Sequence, residues 1–148
     1  MKRLSVAVLL VTLSVMVGCT GMGLKDTPTT NATAYLSGKA MGIAITELVP
    51  AAGVDLEVKW DEMITRNKGL EFVPAEEVLK FYSDCIGVIG LHTEDPYGLI
   101  MDLGILLMIF GAEFNVNGDM IAIEPVPMVV LTYFGLGYDS GKMVAGRL

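Results

Sequence analysis

His92 is the only histidine in the chain, and Cys85 stands seven residues before it. A thiol and an imidazole make a nucleophile and base when they touch. Seven residues of helix separate two side chains by about 10 Å, beyond a direct hydrogen bond. Free cysteine is also among the most buried residue types. The spacing therefore predicts a packing cysteine, with no catalytic residue at either position. His92, Glu94 and Asp95 offer one imidazole and two carboxylates to a metal. Zinc sites use three or four ligands with His or Cys among them, and there is no second histidine. The cluster reads as a helix end and a cap, so no metal is expected. Asp102 is the only charge between Tyr97 and Gly111. A buried carboxyl there would be a functional candidate, but Asp95, Gly98 and Asp102 share one face of a helix start, so Asp102 is expected to reach water.

Two glycine-containing stretches resemble parts of cofactor loops. Ser140-Gly141-Lys142 resembles part of a phosphate-binding loop, yet Leu136 occupies the place of the leading glycine and Met143 follows the lysine. Too few residues follow Lys142 for the helix whose N-terminus would hold a phosphate. Gly135-Leu136-Gly137 lacks the third glycine of a dinucleotide loop and is expected to end a helix, not to follow a strand. No cofactor is expected. Tyr-x-Ser-Gly-Lys occurs twice, at Tyr35–Lys39 and at Tyr138–Lys142. The flanks do not match, which makes coincidence the simpler account.

The elements that would carry these residues are mostly helical. Ala34, Gly38 and Gly42 recur every four residues in a first helix expected over Ala32–Leu48, forming a groove of small side chains for a second helix. Pro50 to Gly53 reads as a break. A second helix follows at Asp55–Asn67, with Leu56, Trp60, Met63 and Ile64 at helical spacing and Asp55–Lys59 and Glu62–Arg66 as i,i+4 pairs. Gly69 suits its stop. Pro74 opens a third helix at Ala75–His92, with Glu76 and Glu77 in its first turn, where the helix dipole favours acids. Val78, Tyr82, Cys85, Ile89 and His92 form its inward stripe, while Lys80 and Asp84 face away. Asp95 caps and Pro96 starts a fourth helix, Pro96–Ala112, apolar on nearly every face and therefore the expected centre of the core. Asn117-Gly118 signals a tight hairpin turn between short runs. A last helix is expected at Val126–Tyr138, followed by a loose tail at Asp139–Leu148. The fold class is thus mainly α: a small bundle of about five helices around a central apolar one, with one hairpin-like turn. The alternative is α+β, with the hairpin growing into a sheet.

The chain begins with Lys2 and Arg3, then an uncharged run from Leu4 to Val17, then Gly18-Cys19. A basic start, a short apolar core and a small residue before a cut site mark an export signal. About 14 apolar residues are too few to span a hydrocarbon layer of ~30 Å comfortably. Met16-Val17-Gly18-Cys19 resembles the lipobox of bacterial lipoprotein precursors. That resemblance implies cleavage before Cys19, acyl chains on its sulfur and outer-membrane sorting, since Thr20 rather than Asp follows the cysteine. The expected organisation is a signal peptide at 1–18, a flexible tether at 19–33 and a single helical domain at 34–148. Several acyl chains on Cys19 would hold the protein on a membrane where one would not.

Of the 10 basic residues, Lys2 and Arg3 would leave with the signal, so 8 face 17 acidic ones, a net charge of −9. An acidic surface argues against nucleic acid and against electrostatic adhesion to anionic lipid. With Cys19 acylated, Cys85 has no disulfide partner in the chain. The function expected is a non-enzymatic, periplasm-facing lipoprotein whose domain binds another protein, as an assembly, immunity or exclusion factor. The alternative is a carrier or sensor of an apolar ligand, suggested by the 10 methionines.

Overall fold

The computed structural model describes residues 25–93, 113–114, 120–122 and 124–146. The signal through Cys19, the cluster residues Glu94 and Asp95, Asp102, the apolar helix Pro96–Ala112 and the Asn117-Gly118 turn lie outside the described residues.

Helix α1 spans Pro28–Leu48, four residues earlier than its apolar pattern indicates. The cause is a cap. Thr27 is extended, its hydroxyl accepts from the Thr30 amide at 3.1 Å, and Pro28 takes the first helical position. Residues 28–33, read as tether, are therefore helical. Only Val49 separates α1 from α2, Pro50–Arg66. The break falls before Pro50 and is one residue long, where 50–53 was expected. Pro50 sits at the first turn of α2, where its missing N–H is no loss. Asn67 ends α2, and Gly69 turns the chain with φ +90°.

Strand β1, Phe72–Val73, leads into α3, Ala75–His92, which matches the expected bounds. Its buried residues are Val78, Phe81, Cys85, Val88 and Ile89. The core face is thus rotated toward Phe81 and Val88; Tyr82 is half-buried at its edge, and His92, expected on the inward stripe, is exposed beyond it. Strands β2, Glu113–Phe114, and β3, Met120–Ala122, pair antiparallel, as a hairpin requires. Strand β4, Val126–Pro127, pairs antiparallel with β1. Helix α4 follows at Met128–Ala145. It continues seven residues past the expected end at Tyr138, because 139–145 lie in its packed and solvated faces instead of forming a tail. Among the described residues the protein is mainly helical, with four helices and two minimal two-stranded ladders. None of these helices is long and apolar enough to cross a membrane.

Helices α2 and α3 run antiparallel, clamped by a polar side-chain contact at each end. Asp55 meets His92 at 3.1 Å, and Arg66 meets Glu77 at 2.9 Å. These pairs replace the within-helix partners expected for Asp55 and Arg66. Lys59 instead bonds Glu62 at 3.3 Å. Buried Asn67 donates to the Met63 carbonyl at 2.9 Å, closing the last turn of α2.

Helices α1 and α4 touch through their backbones. A methyl group placed on Gly38 or Gly42 would collide with the carbonyls of Phe134 and Tyr138. One placed on Gly137 or Gly141 would collide with those of Tyr35 and Lys39. All four approaches fall well under 3.0 Å, closer than side chains come to a neighbour. The partners advance together along both helices, so the pair is parallel. Small residues four apart on each helix are what allow this approach, as the Ala34-Gly38-Gly42 spacing foretold for α1. The two Tyr-x-Ser-Gly-Lys copies lie on these two helices, and both glycines sit in the seam. The glycine of each copy meets the same packing demand as Gly42 and Gly137, which lie outside the motif.

Candidate functional site

Ser140-Gly141-Lys142 and Gly135-Leu136-Gly137 both lie inside α4. Their glycines serve helix packing: Gly137 and Gly141 face α1, and Gly135 faces the Trp60 indole. Neither stretch forms a loop that cradles phosphate.

Cys85 is 3% exposed and unpaired. Burial, with a smaller contribution from Asp84, pushes its thiol up to about 12. At neutral pH it is a protonated packing residue, because reactive cysteines need an electropositive, accessible setting. His92 is engaged by Asp55 from α2, a contact that explains its position at the helix end. No group of three or more His, Cys, Asp and Glu placed to hold a metal occurs among the described residues.

The site that sequence reasoning missed is a cleft of about 280 Å³ with walls from all four helices. Met41 and Ile45 come from α1, Leu56 and Trp60 from α2, Phe81, Cys85 and Ile89 from α3, and Phe134 and Tyr138 from α4. Trp60 is the keystone of the wall. Its ring meets Phe81 edge-on at 5.3 Å and Phe134 at 5.4 Å with a 41° tilt. Such aromatic pairs hold preferred geometries and add to burial. Gly135 makes room for the indole, since a methyl there would lie 3.3 Å from Trp60 Nε1.

The floor is apolar and the rim is acidic. Glu57, Asp61 and Asp139 line the cleft beside the hydrocarbon. Lys142 pairs with Glu57 across the α2–α4 boundary and lies 5.9 Å from the Tyr138 ring centre. The Tyr138 hydroxyl is buried and has no hydrogen-bond partner among the described residues. Burial first, then the charges of Glu57, Cys85 and Asp139, hold its pKa well above the usual tyrosine value. A buried hydroxyl left unpaired costs about 1–3 kcal/mol. The helical spacing of Leu56 and Trp60 was a legible signal. That residues from four separate helices leave a gap between them was not.

No family model, no curated protein and no solved structure matches this chain.

Proposed function

We propose that the protein is a lipid-anchored component of a bacterial cell envelope whose helical domain binds another protein and catalyses nothing. The lipobox-like Met16–Cys19 segment supports the anchor, through acyl chains on Cys19 and outer-membrane sorting by Thr20. An apolar fifth helix at Pro96–Ala112 completes the domain as a bundle in this reading. Its role is assembly, immunity or exclusion.

The observation that carries the protein-binding reading is the outer face of α4. Tyr133, Leu136, Met143 and Val144 recur there at helical spacing and are exposed, Leu136 by 55% and Met143 by 59%. Grouped apolar side chains in water mark an interaction surface more often than scattered ones do. A photo-crosslinking residue at Leu136 or Met143 should give one discrete protein adduct in cells, and the same residue at exposed Glu76 on α3 should not. Identical adduct patterns from both faces would count against the reading.

The cleft beside Trp60 favours a second reading, in which the domain carries or senses an apolar small molecule. Ligand sites are typically concave, mostly apolar and equipped with a few polar groups. Trp60 is the only tryptophan in the chain, so its fluorescence reports entry directly. A saturable change with an apolar probe supports this reading; none with any probe removes it.

A further inference from the structure

The chemistry of the cleft narrows what it can accept. Its volume, about 280 Å³, lies near the lower end of ordinary ligand pockets, ~300–1,000 Å³. It is roughly twice the ~150 Å³ apolar cavity that takes a benzene. A single ring with a short chain, or a slender alkyl chain, fits; a lipid with two acyl chains does not. The walls offer the faces and edges of Trp60, Phe81 and Phe134.

Charge decides the rest. Three carboxylates line the cleft, and Lys142 alone among the described residues answers them, already paired with Glu57. Asp61 and Asp139 stay uncompensated at an exposed rim. An anionic head would meet like charge there, while a cation is attracted both by the carboxylates and by the indole face.

We propose that the cleft between the four helices binds a small apolar amine in its ammonium form. The hydrocarbon lies against Trp60, Phe81 and Phe134, and the cationic head lies at the rim beside Asp61 and Asp139. The proposal rests on the second reading above and specifies its ligand class.

The test uses three probes of one chain length, hexylammonium, 1-hexanol and hexanoate, at pH 7. The full-length protein is placed in phosphatidylcholine vesicles, with protein-free vesicles as the blank. Trp60 fluorescence gives the affinity. Protection of Cys85 from a small neutral thiol reagent places the probe, because Cys85 lines the same cleft. Hexylammonium should bind at least about tenfold more tightly than hexanoate, with hexanol between them, and should slow Cys85 modification. Asp61→Asn with Asp139→Asn should shrink the preference for the cation over the anion severalfold. Hexanol or hexanoate binding as tightly as hexylammonium overturns the ligand class while leaving a carrier of apolar molecules standing. Silence from all three probes in both readouts overturns the carrier reading itself.

Discussion

Replacing Gly38 by alanine tests the close backbone approach of α1 to α4. An added methyl would stand against the Phe134 carbonyl carbon and oxygen and the Tyr138 amide nitrogen. These are backbone atoms inside α4, so they cannot swing aside as a side chain can. Overpacking a tight site costs about 1–3 kcal/mol, and a rigid partner places this one at about 3. Alanine also favours the helix over glycine by about 1 kcal/mol, which leaves a net loss of about 2 kcal/mol. Gly87 on α3 is the matched control, for it too lies inside a helix, yet a methyl there meets nothing within 4 Å. Gly87→Ala should therefore gain about 1 kcal/mol from propensity alone. At about 4 °C per kcal/mol for a domain of this size, Gly38→Ala lowers Tm by about 8 °C and Gly87→Ala raises it by about 4 °C. Far-ultraviolet circular dichroism melts of the full-length protein measure both. Gly141 faces Lys39 in the same seam, so the double variant Gly38→Ala with Gly141→Ala should cost less than the two single losses added together. Equal shifts of the same sign in Gly38→Ala and Gly87→Ala would refute the backbone-contact argument outright.

Native Cys85 should react with thiol reagents far more slowly than in denaturant at neutral pH, and rapid native modification would contradict its burial. The thiol rises from 9.0 to about 12 on folding. Its contribution to stability is thus complete below pH 9 and is lost as pH rises through about 12; urea titrations between pH 8 and 11 should show stability falling, with a shallower slope in Cys85→Ala. Arg66→Ala should cost under about 1 kcal/mol, because its ion pair with Glu77 is solvent-exposed. Asn67→Ala should cost about 1–3 kcal/mol, as it removes a buried donor to the Met63 carbonyl; similar losses for the two would show that exposure does not govern these bonds. Cys19→Ala should abolish fatty-acid labelling of the protein in cells, and undiminished label would remove the anchor.

The sequence by itself determined which stretches are helical and where several of them end. Pro74 with Glu76 and Glu77 fixes the start of α3 through local sterics and the helix dipole. Gly69 ends the turn after α2 because it alone tolerates φ +90° comfortably. The spacing of Ala34, Gly38 and Gly42 announced a close helix contact, because i,i+4 positions share one face. Only the tertiary structure decided what that contact meets. Nothing local says that Gly137 and Gly141 stand opposite. The polar contacts show the same division. Asp55 has Lys59 one turn away, yet it bonds His92, 37 residues on, because the antiparallel α2–α3 packing brings that ring within reach. The cleft was the least legible of all. Trp60 and Cys85 read as ordinary packing residues, and Phe81 and Tyr138 carry no local mark of a site. A space between side chains is a property of four packed surfaces at once, and no single helix encodes it.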